Sequence, residues 1–105
     1  MKEITVQQLK QMQDAGDQLQ LIDVREQWEV DICTIGAVHI PMGDIITRKD
    51  ELKPDILVII HCRSGGRSAN VINALEMQFG LTNLHNLVGG IGAWADEIDS
   101  SLEKY

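Results

Sequence analysis

One short segment holds the residues of this sequence that are best suited to covalent chemistry. It lies between a wholly apolar stretch and a helical pattern, and it consists of Cys62, Arg63, Ser64, Gly65, Gly66 and Arg67. A cysteine reacts as its thiolate, and a helix N-terminus or nearby arginines lower its pKa from about 8.5 to roughly 3.5–7.5. If the chain curls around the sulfur, the backbone N–H groups of residues 63–67 point inward and favour an anion. The segment therefore predicts a reactive Cys62 inside an anion-binding loop.

Glycines are expected in such a loop for a steric reason. A tight concave turn needs dihedral angles or close approaches that a Cβ atom obstructs, and Gly65 and Gly66 both suit it. The alternative is that Cys62 packs as a small hydrophobic residue and that the two arginines are ordinary surface charges. That alternative requires a buried strand, a cysteine, two glycines, two arginines and a helix start to coincide, so we favour the reactive cysteine.

Apolar runs alternate with helical patterns along the chain, and these elements must position the loop. Strands are predicted at residues 19–24, 37–40, 56–60 and 84–88, and helices at 5–14, 25–30, 69–79 and 91–102. The stretch 56–60 is apolar throughout, as is typical of a parallel strand covered on both faces. The pattern predicts one α/β domain over residues 1–105, with helices on both faces of a parallel sheet. Ligands of such sheets bind beyond the carboxyl ends of the strands, where Cys62 falls.

Composition narrows the classes of function. At 105 residues and 44% hydrophobic, the chain is long enough for one domain that buries about two-thirds of its unfolded surface. A net charge of −7 with scattered basic residues argues against nucleic-acid binding. Because no apolar run could cross a bilayer or serve as a signal peptide, we expect a soluble cytoplasmic protein with no membrane partner. Its two cysteines, Cys33 and Cys62, are expected to stay free thiols.

These motifs together resemble a single rhodanese domain, a sulfurtransferase module that carries sulfane sulfur as a cysteine persulfide. The matching stretches follow the family order and cover nearly the whole chain, at residues 21–26, 28–29, 36–37, 40–41, 61–68 and 89–94. The resemblance implies a five-stranded parallel sheet with helices on both sides. It also implies that Cys62 is the nucleophile, that the following loop holds the persulfide, and that no metal or organic cofactor is needed.

The resemblance implies particular partners. These are a small sulfane-sulfur donor such as thiosulfate, which Arg63 and Arg67 would attract, and protein donors or acceptors of sulfur. Two alternatives remain. Rhodanese-like phosphatases carry five residues between cysteine and arginine, whereas four separate Cys62 from Arg67, and the shorter loop suits a terminal sulfur. His61 keeps the phosphatase alternative open, although we expect it simply to end a strand; the other alternative is a non-catalytic interaction module, which the intact cysteine argues against.

Three residues near the loop are candidates for a supporting role. Asp23 and Arg25 follow another strand end, and we expect them to brace the loop by hydrogen bonds and an ion pair. The alternative for these two is a local pair on the surface. Ser68, directly after Arg67, is grouped with them.

Cys33 and the two tryptophans are expected to be structural. The region around Cys33 lacks the commoner Gly-His-Ile-Pro-Gly-Ala pattern and is similar to rhodanese domains fused to the adenylyltransferases that activate ubiquitin-like sulfur carriers. We interpret Cys33 as a packed thiol and not as a resolving cysteine for Cys62. Trp28 and Trp94 are expected to be core anchors.

Overall fold

Five parallel strands form one sheet in the computed structural model, which describes residues 1–105. The strands are β1 Glu3–Ile4, β2 Leu19–Asp23, β3 Val38–His39, β4 Leu57–His61 and β5 Leu84–Leu87. Their order in the sheet is β1-β5-β4-β2-β3, and every pairing is parallel. The predicted parallel sheet is therefore confirmed, with β4 at its centre.

Four helices cover the sheet, and none of them is long and apolar enough to span a bilayer. They are α1 Val6–Asp14, α2 Gln27–Ile32, α3 Gly66–Phe79 and α4 Gly90–Glu97, with single 3-10 turns at Met42–Asp44 and Lys49–Glu51. The capping box that the sequence indicates is present, because the Thr5 hydroxyl accepts from the Gln8 amide and the Gln8 side chain accepts from the Thr5 amide. Helix α3 ends at Gly80 in the left-handed conformation.

A hydrophobic core lies on each face of the sheet, and β4 contributes to both. Ile60 belongs to the core that contains Leu75 of α3, whereas Ile59 belongs to the core that contains Leu9 of α1 and Trp94 of α4. Both isoleucines are completely buried. This two-sided burial explains why β4 is apolar up to His61, its last residue, as expected for a central parallel strand.

Two elements differ from the sequence-based expectations. Strand β1 was not expected, because two residues show no periodicity, and it forms only by pairing Glu3 with Asn86 and Ile4 with Leu87 of β5. Helix α4 ends at Glu97 and not near residue 102. The later apolar residues of that stripe still pack against the core, although they follow an irregular path.

The aromatic residues divide between core and surface. Trp94 is buried in the core as expected, at 8% exposure, but the expectation for Trp28 is wrong because it is 59% exposed. Trp28 lies edge-on to Tyr105, with 5.7 Å between the ring centroids. Phe79, the last residue of the apolar stripe of α3, is also exposed, and the ammonium of Lys49 lies over its ring. Sequence periodicity predicts which face of a helix is apolar, but it does not predict how much of that face the neighbouring loops cover.

Candidate active site

Cys62 follows the last residue of β4, and its sulfur lies against the first turn of α3. The Gly65 amide donates to Sγ at 3.1 Å and the Ser68 amide at 3.5 Å, while the Ser68 hydroxyl lies 3.4 Å away. The residue is buried, with 1% exposure. A buried sulfur encircled by N–H donors at a helix N-terminus is arranged to hold negative charge.

These contacts favour the thiolate. Burial raises the pKa of the Cys62 thiol, but hydrogen bonds from the Ser68 hydroxyl and from the amides of Ser68, Gly65 and Ser64 outweigh it, so the pKa lies below its ordinary value. The donors are therefore backbone amides and one hydroxyl. The two arginines, which the sequence suggested as a main source of stabilisation, do not contact the sulfur.

Ser68 connects the sulfur to a buried amide on β5. Its hydroxyl lies 2.6 Å from Asn86 Oδ1, and the Asn86 side-chain amide donates to the Gly65 carbonyl at 3.1 Å. Asn86 is itself buried. The Ser68 hydroxyl has a single proton, so the Cys62 sulfur and Asn86 Oδ1 compete for it. Asn86 is a supporting residue that the sequence did not single out.

Removing the Ser68 hydroxyl should raise the pKa of Cys62. In Ser68→Ala, alkylation of Cys62 by iodoacetamide at pH 7 should slow by about fivefold, since one hydrogen bond contributes about 1 kcal/mol. The thiolate is present above the pKa, so the pH of half-maximal alkylation should move upward. In the matched variant Ser64→Ala it should stay in place, because Ser64 acts through its backbone amide. A downward shift in Ser68→Ala would show that the hydroxyl proton goes to Asn86 instead.

The first turn of α4 supports the loop from behind. The Ile91 amide donates to the Cys62 carbonyl and the Gly92 amide to the Arg63 carbonyl, both at 3.0 Å. Gly90 makes this approach possible: its φ is +57°, and a Cβ on it would lie 2.4 Å from the Cys62 carbonyl oxygen. With their carbonyls held by α4, the loop peptides present their N–H groups to the sulfur. The Gly89-Gly90 pair is part of the family resemblance, but the sequence did not reveal that Gly90 lets α4 approach the Cys62 loop.

The two glycines of the loop do not share one role. Gly65 has a φ of +110°, which fits the expectation that the turn needs a residue without Cβ. Gly66 has no positive φ, and a Cβ placed on it meets no atom within 4 Å. The steric argument for Gly66 is therefore wrong within this chain, because Gly66 is simply the first residue of α3.

The two arginines of the loop each contact another side chain. Arg63 is exposed, and its guanidinium carbon lies 4.6 Å from the centroid of the Tyr105 ring. Arg67 Nη1 lies 2.9 Å from Glu29 Oε2, and Glu29 is buried on α2. Neither Glu29 nor Tyr105 was predicted as a site residue. The only sequence signal was the position of Glu29 in the Trp28-Glu29 motif.

Asp23 and Arg25 form a buried pair, so the alternative of a surface pair is wrong. Arg25 Nη2 lies 2.8 Å from Asp23 Oδ2, and the two residues are 0% and 1% exposed, respectively. Arg25 also donates to the carbonyl of Cys33 at 2.8 Å and to the Tyr105 hydroxyl at 2.9 Å. Arg25 also donates to the Glu29 carbonyl at 3.4 Å, and the side chain of Glu29 in turn pairs with Arg67 of the loop. The pair thus supports the segment that carries Glu29, and it does not touch the Cys62 loop directly.

His61 ends β4, as the sequence indicates. Its Nδ1 lies 3.2 Å from the Cys62 carbonyl oxygen, and its Nε2 lies 3.7 Å from Asp23 Oδ2 without a hydrogen-bond partner. Burial lowers the pKa of His61, which keeps the imidazole neutral at physiological pH. The ring is a buried neighbour of the loop and is not exposed as a general base.

Cys33 is a free, half-buried thiol that lies beside Arg25. The distance from Arg25 Nη1 to its sulfur is 3.9 Å. Cys62 is also free, so the structure contains no disulfide. These contacts are consistent with a packed thiol.

The sheet and the cysteine loop define an α/β domain with a thiolate cradle at the carboxyl edge of its strands. Residues 5–97 match the model of the rhodanese-like domain, and the chain belongs to the rhodanese family. The protein named "Putative sulfurtransferase YtwF" of Bacillus subtilis is 44% identical over 97 residues, which cover 91% of this chain and 92% of that protein.

Two further comparisons show how the same domain occurs in other contexts. The adenylyltransferase and sulfurtransferase UBA4 of Candida glabrata is 32% identical over 102 residues, which cover 87% of this chain but only 24% of that protein. The crystal structure of a rhodanese-like domain protein from Staphylococcus aureus superposes with a TM-score of 0.82 at 32% identity, covering 100% of this chain and 99% of the other. The family and these relatives support sulfur transfer in general as the function of this chain.

Proposed function

We propose that this protein is a sulfurtransferase that carries sulfane sulfur on Cys62 as a persulfide. The observation that carries the proposal is the set of amides from Gly65 and Ser68 that surround the Cys62 sulfur. Donors placed there stabilise a thiolate before transfer and a terminal persulfide sulfur after it, at no cost of reorganisation. The sulfur donor is thiosulfate or a protein persulfide, the acceptor is a thiophilic nucleophile, and the reaction takes place in the cytoplasm.

The reaction has two covalent steps. The Cys62 thiolate attacks the outer sulfur of the donor, a new S–S bond forms, and the donor's own bond to that sulfur breaks; from thiosulfate, sulfite leaves with the bonding electrons. In the second step, the acceptor attacks the outer sulfur of the persulfide. The S–S bond to Cys62 then breaks and returns the electron pair to the Cys62 thiolate.

Intact-protein mass spectrometry tests this proposal. After incubation with thiosulfate, the wild-type chain should gain one sulfur atom, and cyanide should remove it as thiocyanate. Cys62→Ser should gain none, whereas the matched variant Cys33→Ser should load like the wild type. If neither thiosulfate nor a small-molecule persulfide loads the wild type, the chain is an interaction module and the proposal is wrong. Hydrolysis of an aryl phosphate that disappears in Cys62→Ser would point to the phosphatase alternative.

A further inference from the structure

The positive charge of the Cys62 loop is smaller than its two arginines suggest, because the buried carboxylate of Glu29 neutralises Arg67. Arg67 Nη1 lies 2.9 Å from Glu29 Oε2, and the exposed fractions of the two side chains are 32% and 6%. The hydrogen bond that Arg67 donates to Glu29 raises the pKa of Arg67, so the guanidinium keeps its charge at neutral pH. The pair presents no net charge to an approaching donor.

Glu29 is fixed in this position by other contacts. Its Oε2 also accepts from the Glu26 amide at 3.2 Å, which closes the first turn of α2. Its carbonyl accepts from Arg25 at 3.4 Å. Because these contacts hold the carboxylate on the inner side of α2, Arg67 is not free to turn toward a donor without leaving a buried charge unpaired.

Arg63 remains as the charged group of the loop that no carboxylate neutralises within hydrogen-bond distance. It is exposed and lies over the Tyr105 ring. Exposed charges are screened by water and salt, so its attraction for an anion is weak. The sulfur itself is stabilised by amide dipoles, which favour one negative charge but do not compensate two.

We propose that Glu29 determines donor specificity by neutralising Arg67, so that the loop accepts sulfur from donors of low negative charge in preference to dianions such as thiosulfate. This inference rests on the proposed function. The favoured donor is a persulfide, R–S–SH. The Cys62 thiolate attacks its outer sulfur and forms a new S–S bond, the S–S bond of the donor breaks, and R–S⁻ leaves with the bonding electrons and takes up the proton from the outer sulfur.

Two donors that differ by one charge test this inference. Thiosulfate and methanethiosulfonate both carry a sulfane sulfur bonded to an oxidised sulfur, with two negative charges and one, respectively. The readout is the ratio of kcat/KM for loading Cys62 from thiosulfate to that from methanethiosulfonate. Glu29→Gln should raise this ratio by roughly three- to tenfold, as expected for one unpaired charge near a partly buried site. Glu26→Gln, which removes a charge from the same part of the chain without touching Arg67, should leave it within about twofold of the wild type.

The double variant Glu29→Gln/Arg67→Gln provides a second test, because two amides can hydrogen-bond to each other and the pair stays neutral. Its ratio should stay within about twofold of the wild type. A decrease of this ratio by fivefold or more would show that Arg67 attracts thiosulfate in the native protein and would overturn the inference. An unchanged ratio in folded Glu29→Gln, with both donors loading, would also overturn it while leaving the proposed function intact. Absence of loading from every donor, in the wild type too, would instead refute the proposed function together with this inference.

Discussion

Replacing Arg25 by methionine should lower the free energy of unfolding by about 3–5 kcal/mol, because it leaves the Asp23 carboxylate buried without its partner. Asp23 is 1% exposed, and three of the hydrogen bonds that it accepts come from the Arg25 side chain. Methionine fills a similar volume, so the loss is electrostatic and not a cavity effect. Chemical denaturation followed by circular dichroism measures the difference.

A matched control is available on the surface. Arg48 makes an ion pair with Glu51, but their side chains are 37% and 49% exposed. Arg48→Met should therefore change stability little, since water screens exposed pairs. Similar losses in both variants would contradict the view that burial makes the Arg25 pair important.

The loss of unfolding free energy in Arg25→Met should also depend on pH. Burial raises the pKa of Asp23, but the hydrogen bonds from Arg25 outweigh it, so the pKa lies below 3.8 in the folded protein. A carboxyl group with a lowered pKa contributes stability that is present above its unfolded pKa and is lost as pH falls through the folded pKa. The difference between variant and wild type should thus be largest near pH 7 and should narrow as the pH falls through 3.8 toward the lowered pKa of Asp23. A deficit that does not vary with pH would argue against an unpaired carboxylate.

Gly90→Ala should reduce the loading of sulfur on Cys62 by about 100-fold, the effect expected when a reacting group is displaced by about 1 Å. The new Cβ would lie 2.4 Å from the Cys62 carbonyl oxygen and 2.6 Å from that of Arg63, where ordinary contacts begin at 3.4 Å. Both obstacles are backbone atoms of the loop, so they cannot move aside as a flexible side chain would. The loop must shift, and the amides that face the sulfur shift with it.

Gly92→Ala is the control for this variant. Its Cβ would lie 3.3 Å from the Arg63 carbonyl oxygen, a contact that a displacement of a few tenths of an ångström relieves. Loading measured by mass spectrometry, on samples shown to be folded by thermal unfolding, should stay close to wild type. Wild-type loading in Gly90→Ala would mean that the contact between α4 and the loop does not position the sulfur.

Local patterns were sufficient to predict the centre of the fold and the location of the cysteine. Strand β4 is apolar up to its last residue, His61, and α3 has a clear stripe followed by a glycine, so Cys62 could be placed between them from sequence alone. The contacts that complete the site join distant residues. Glu29 and Arg67 are 38 positions apart, and Arg25 and Tyr105 are 80 apart. Neither pair leaves a periodic signal, which is why both were missed.

The glycines show the same division between local and tertiary causes. A positive φ at Gly65 follows from a sharp turn into a helix, which the sequence indicates. Gly90 also has a positive φ, but the clash that a Cβ would make there arises because α4 meets the Cys62 loop, and that contact depends on how β5 and β4 pair. Gly66 looked equivalent to Gly65 in the sequence, yet it occupies open space.

Polar residues, more than apolar ones, fix the register of β4 against its neighbouring strands. Val58, Ile59 and Ile60 are all completely buried, so hydrophobic alternation does little to distinguish one register from a slip by one residue. The polar residues near the carboxyl ends of the strands do make this distinction, because Asp23 pairs in register with His61 and the Asn86 amide reaches the Gly65 carbonyl. Buried polar groups close to the sulfur thus also favour one register of the sheet. A sequence that replaced them with apolar residues would lose the preference for a single native register along with the chemistry.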